Sequence, residues 1–206
     1  MSSTEERTMR DAAVAFFHRE APNARVIHEL NVGGCRADLA VVDSTRIFLV
    51  EIKSSKDTLS RLERQVKTFG KAAHETIVIA DAKWWTKVER GYHVPVLEPH
   101  AGLYPARYRD HHQLWHFPAF PQPYGQYEWA IPKLSIGQPH ARPMLEMLWK
   151  QELLDAARKA GVVTKSRWAM RDIIDAMVWV MTGEALARAA CAALRARPFA
   201  EADPAR

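Results

Sequence analysis

Residues 36–53 read Arg36-Ala37-Asp38-Leu39-Ala40-Val41-Val42-Asp43-Ser44-Thr45-Arg46-Ile47-Phe48-Leu49-Val50-Glu51-Ile52-Lys53. Two apolar runs flank a short polar break, the pattern of an antiparallel hairpin. If the Asp43–Arg46 turn sets the register, Val42 faces Ile47, Ala40 faces Leu49 and Asp38 faces Glu51. Side chains alternate between the faces of a strand. Asp38, Ala40 and Val42 therefore share a face with Ile47, Leu49, Glu51 and Lys53. Directly opposed residues have Cβ atoms about 4.5–5.5 Å apart. The register thus gathers two carboxylates and an ammonium on one face of a sheet.

Adjacent carboxylates repel, and a fold tolerates them poorly without compensation. A hard divalent cation with oxygen ligands compensates well. Lys53, two residues beyond Glu51, would sit beside such a cation, able to position or deprotonate a water or to meet charge developing on a phosphate. Carboxylate pair, cation and lysine together suit phosphodiester hydrolysis.

Outward from the hairpin, the spacing predicts a helix over Thr4–Arg19, with Met9, Ala12, Ala13, Phe16 and Phe17 recurring at helical intervals. Arg25–Val32 reads as a strand ending at the Gly33-Gly34 turn. Arg36–Val42 and Ile47–Lys53 are the hairpin strands. Asp57 is positioned to cap a helix with Leu59, Leu62, Val66 and Phe69 on its apolar face. Thr76–Ala80 reads as a short buried strand, Ala82–Glu89 as helical and His93–Leu97 as a further short strand. This order predicts an α/β domain on one sheet.

At this point the residues resemble a known family. Arg36-Ala37-Asp38-Leu39 followed by Val50-Glu51-Ile52-Lys53 is similar to the signature of the PD-(D/E)XK nuclease superfamily, with Ala37 where the motif has proline. The order helix, three strands, helix, strand is similar to that superfamily's core, and residues 24–80 resemble its small bacterial, DNA-repair-associated members. The resemblance implies a restriction-endonuclease-like core, a mixed sheet flanked by helices. It also implies Mg²⁺ (or Mn²⁺) held by Asp38, Glu51 and the Ile52 backbone carbonyl, with Lys53 serving the attacking water. Gln65 with Phe69 resembles a QxxxY-type motif with Phe in place of Tyr, which puts Gln65 near the site without a tyrosine hydroxyl. Glu29 is a further candidate ligand, preferred over Glu5, Glu6 and Glu20; a solvated strand carboxylate is the alternative reading.

Of 206 residues, 48% are hydrophobic and 26% charged, values that exclude a disordered chain, a collagen-like chain or a simple coiled coil. No apolar run reaches the eighteen or so residues that span a bilayer, and the first residues lack the pattern of a signal peptide. The expectation is a cytoplasmic protein with Cys35 and Cys191 reduced. A net charge of +5 favours a polyanionic partner, nucleic acid and DNA first, with Lys56, Arg61, Arg64 and Lys67 supplying backbone attraction.

Three zones follow: a nuclease-like core over 1–98, a proline- and aromatic-rich insertion over 99–143, and a helical C-terminal annex over 144–206. Prolines in the middle zone forbid long helices and central strands. Its aromatics, Trp115 among them, read as anchors to the core. His111, His112 and His116 read as a polar surface segment rather than a zinc site. Ile173–Met181 offers a face for a homodimer, and Glu201–Arg206 reads as a frayed tail. The expected function is a metal-dependent nuclease. The alternative is a catalytically inactive module on the same fold that binds nucleic acid or a protein partner.

Overall fold

A computed structural model describes residues 4–87, 93–95, 112–118 and 138–206. Helix α1 (Thr4–Glu20) leads into strands β1 (Arg25–Val32), β2 (Cys35–Val42) and β3 (Ile47–Lys53). Helix α2 (Leu62–Ala72) then crosses to β4 (Glu75–Asp81). One turn of 3₁₀ helix (Ala82–Trp84), short strands β5 (Trp85–Lys87) and β6 (His93–Pro95), and strand β7 (His112–Phe117) follow. Helices α3 (Ala141–Leu145), α4 (Lys150–Lys159), α5 (Met170–Val180) and α6 (Gly183–Ala196) end the chain. The main sheet has the order β1-β2-β3-β4-β7. Its first three strands are antiparallel, whereas β3–β4 and β4–β7 are parallel, so the fold is mixed α/β.

The hairpin forms in the expected register from Val42 opposite Ile47 to Ala40 opposite Leu49, but the expected pairing of Asp38 with Glu51 is not part of the ladder. Its turn closes because Asp43 Oδ1 accepts the Thr45 and Arg46 backbone amides at 2.7 and 2.6 Å, an Asx-type closure. The even residues of β3, Phe48, Val50 and Ile52, pack against Met9, Ala13, Phe16 and Phe17 of α1. Ile47 and Leu49 face the other way, onto Phe69 of α2 and the buried residues of α3–α6. Residues 144–194 therefore share one core with the hairpin.

Strand β7 joins β4 as the outermost strand, and Trp115 is buried with ring centroids 5.1 and 5.6 Å from Phe16 and Phe17. Such aromatic pairs contribute about 0.5–1.5 kcal/mol beyond their burial. Trp115 thus anchors β7 to the core, and the other aromatics read as anchors, Tyr104 to Trp129, lie outside the described residues apart from Phe117. The side chains of His111, His112 and His116 lie outside the described residues.

Three expectations are corrected. Asp57 does not cap α2: its Oδ2 accepts from the Ser54 amide and hydroxyl, both at 2.7 Å, and the helix starts at Leu62 without a side-chain cap. The Ser54–Asp57 turn is more local than a helix cap and takes the carboxylate first. Ala82 starts one 3₁₀ turn rather than a helix, because the chain re-enters a strand at Trp85. The last residues are not frayed. Ala202 bridges Ile27, Asp203 N donates to the Val26 carbonyl at 2.9 Å, and Val26 N donates to Asp203 Oδ2 at 2.9 Å. Arg25 locks the same tail, donating to the Leu194, Arg195, Arg197 and Asp203 carbonyls. The tail covers the outer edge of β1, where strand amides would otherwise lack partners.

Of the Ile173–Met181 run, Ile173, Ile174 and Met177 are buried inside the chain, while Val178, Trp179 and Val180 are exposed. Both cysteines are free thiols. Among the described residues no helix is long and apolar enough to cross a membrane.

Candidate active site

The ladder between β2 and β3 stops at Leu39 opposite Val50. Beyond that point Asp38 replaces the strand's own carbonyl as acceptor: its Oδ2 takes the Ile52 amide at 2.7 Å. The same level is irregular in β1. The β1–β2 ladder omits Glu29 and Asp38 and resumes at Leu30 opposite Ala37 with its register unchanged. Glu29 has a φ of 58°, the left-handed region that non-glycine residues visit at a cost of roughly 1–3 kcal/mol.

The pleat slips there. Ile27 and Leu30, three apart, face the same core, as do Ala37 and Ala40. Straight alternation would set Asp38 squarely on the α2 face. The slip instead lets it reach both the Ile52 amide and Arg10 of α1.

Glu51 and Lys53 follow the alternation and point toward α2. Both are buried, with Lys53 Nζ 2.7 Å from Glu51 Oε1. Gln65, one turn into α2, closes a triangle: its Nε2 donates to Glu51 Oε1 at 2.6 Å and its Oε1 accepts from Lys53 Nζ at 3.3 Å. Gln65 borders the buried face of α2, three residues after Leu62 and four before Phe69, so packing of that face carries it to the site. Phe69 is fully buried in the core.

Glu51 Oε2 is buried and has no hydrogen-bond partner. An unsatisfied buried carboxylate oxygen is costly, and such atoms concentrate where a ligand or ion is bound. Burial, followed by the charge of Glu51, pushes Asp38 up to about 7. Burial also raises Glu51, against the opposing pull of Lys53. Two carboxyls that resist ionisation together are suited to a shared positive partner. Among the described residues no cluster of three or more Asp, Glu, His or Cys side chains forms a metal cage. The site offers the carboxylates of Asp38 and Glu51.

The sequence reading missed Arg10, whose side chain is 11% exposed. Its Nη1 donates to Glu29 Oε1 and to the Asp38 carbonyl, both at 3.1 Å. Its Nη2 donates to Glu6 Oε1 at 3.0 Å and to Asp38 Oδ1 at 3.4 Å. Helical spacing marks Arg10 only as a neighbour of the buried Met9 and Ala13, so no signal tied it to Asp38. Glu29, the further candidate, is held by Arg10 and by Arg36 at 2.5 Å. The competing acids go elsewhere: Glu5 accepts from Ser55, Glu6 from Arg10 and Glu20 from Arg19.

Of the candidate phosphate contacts, Lys56, Arg61 and Arg64 are exposed, and the charge of Arg61 reaches Glu51. Lys67 pairs with Glu63 at 2.6 Å one turn earlier on the same helix.

A family model described as bacteriophage P4 protein cII matches residues 2–104, which take in α1, β1–β4 and all of these side chains. No curated protein and no solved structure matches the chain.

Proposed function

The chain belongs to the bacteriophage P4 protein cII family, and we propose that its α1–β4 region is a restriction-endonuclease-like core carrying a metal-dependent nuclease centre that acts on nucleic acid, DNA in the first instance. The observation that carries this reading is the pair of half-buried Asp38 and buried Glu51, with both carboxyls raised and Glu51 Oε2 left without a partner beside Lys53.

The donor set fits a hard divalent cation, Mg²⁺ or Mn²⁺, with Asp38, Glu51 and the Ile52 carbonyl as its ligands. When bound, such an ion supplies positive charge against the phosphate and lowers the pKa of bound water. The chain's own residues do the rest. Glu51 and Gln65 hold the Lys53 ammonium at the mouth of the pair, where it can donate to an attacking water or to charge developing on the phosphate. Gln65 fixes the Glu51 rotamer, leaving Oε2 as the acceptor without a partner. Lys56, Arg61 and Arg64 draw the phosphate backbone toward this end of the sheet.

The test is cleavage of a panel of single- and double-stranded DNA and RNA with Mg²⁺, Mn²⁺ or EDTA. Strand scission that EDTA abolishes is the expected result. A second reading, an inactive nuclease-fold module that binds nucleic acid, is favoured by the ion pairs already made by Lys53 and Arg10 within the acidic cluster. Salt-dependent binding with no scission of any substrate selects it.

A further inference from the structure

We propose that Arg10 is the resident counter-ion of Asp38, as Lys53 is of Glu51, and sets how tightly the site takes up a divalent cation; this rests on the reading of the site as a cation centre. An acidic pair that must also exist without its ion needs a positive partner that does not exclude the ion. Arg10 meets that need by the uneven strength of its bonds. Three acceptors hold its guanidinium at 3.0–3.1 Å: Glu6 Oε1, Glu29 Oε1 and the Asp38 carbonyl. The fourth contact, to Asp38 Oδ1, is long at 3.4 Å.

Asp38 Oδ2 is already committed to the Ile52 amide. Oδ1, held only by this loose contact, and Glu51 Oε2, held by nothing, are therefore the two least engaged oxygens of the pair. A cation taking Oδ1 breaks the weakest of the four bonds and leaves the guanidinium seated on the other three. Arginine stays protonated at any working pH, so its charge remains beside the site and opposes the incoming ion. Glu29 supports this arrangement from its strained backbone position, since Arg10 and Arg36 both bind its carboxylate.

The experiment is calorimetric titration of Mn²⁺ and Mg²⁺ into the wild type, Arg10→Gln, Arg10→Lys and Asp38→Asn, with melting temperatures measured without and with the ion. Arg10→Gln is expected to bind Mn²⁺ about tenfold or more tightly, about 1.4 kcal/mol, and to melt lower than wild type in the absence of the ion. Arg10→Lys keeps the charge and should stay within about threefold of wild type. Asp38→Asn should lose the binding. If Asp38→Asn abolishes uptake but Arg10→Gln binds no more tightly than wild type, the cation centre stands and the Arg10 proposal falls. If neither the wild type nor Arg10→Gln takes up the ion, or Asp38→Asn binds as well as wild type, both fall. Should Arg10→Gln not fold, the wild type still decides the matter. The Arg10 Nε–H nuclear magnetic resonance signal, assigned by its loss in Arg10→Lys, should move on adding Mg²⁺, and a signal that stays in place under saturating ion overturns the proposal.

Discussion

Asp38 and Asp43 bracket the same run of β2 and come to opposite chemical states. Asp43, at the turn, accepts the Thr45 and Arg46 amides and the Arg46 guanidinium, and these bonds outweigh burial and lower its pKa. Asp38, five residues earlier, receives one firm backbone bond and sits near a second buried acid, and burial wins, raising it to about 7. The side chain is the same in both places. What differs is the donors and the neighbouring charge set against or added to the loss of water: Glu51 beside Asp38, Arg46 beside Asp43. A carboxylate surrounded by donors closes a turn, whereas one short of donors retains capacity for a ligand.

The largest expected effect separates the two aspartates in cleavage. Lys53→Ala and Asp38→Asn should each cut the rate by about a hundredfold or more, the usual loss for a group acting on developing charge. Asp43→Asn should remain within a few-fold of wild type. Equal loss in Asp43→Asn and Asp38→Asn would break the comparison.

Stability should run the other way. Asp43→Asn loses charge-assisted bonds in a turn and should destabilise by about 1–3 kcal/mol, which lowers the melting temperature by about 2–4 °C for each kcal/mol in a chain of this size. Asp38→Asn, measured without divalent ions near neutral pH, should melt no lower than wild type, because it removes a charge that burial disfavours. Thermal unfolding in EDTA compares them.

The pH dependence carries the same contrast with opposite signs. The folded pKa of Asp38 lies above its ordinary 3.8, so the folded protein holds the extra proton. Its contribution favours folding at low pH and is lost as pH rises from about 4 toward about 7. Asp43 is lowered, so its stabilisation is present above the ordinary 3.8 and is lost as pH falls below it. In ion-free buffer, Asp38→Asn should flatten the slope between about pH 5 and 7, and Asp43→Asn should leave that slope unchanged. An unaltered slope in Asp38→Asn would mean that another group carries it.

The smallest effect expected is at Lys67. Its exposed pair with Glu63 is an i, i+4 helix contact, and Lys67→Ala should change stability by about 0.3–0.5 kcal/mol. Because Lys67 is already paired, its loss should weaken nucleic-acid affinity less than loss of Arg61 or Arg64, measured by titration at low salt.

Much of this was legible in the sequence because it is local. Alternation and a four-residue turn determine which β2 residue faces which β3 residue, and they bring Glu51 and Lys53 to one face. Helical spacing then aims Gln65 from α2 at the same face. These are relations of period two and period 3.6, readable wherever the backbone is regular.

Tertiary structure alone decided the rest. Glu29 leaves the regular backbone with a positive φ, and the pleat slips at Asp38, which no alternation count predicts. Arg10 meets Asp38 across 28 positions of sequence, and Arg25 meets the C-terminal tail across more than 160. Such contacts depend on how α1 lies across the sheet and on where the chain's end returns. Packing of apolar faces sets those positions, and the polar residues, having no period of their own, are carried to whatever partners the packing brings within reach.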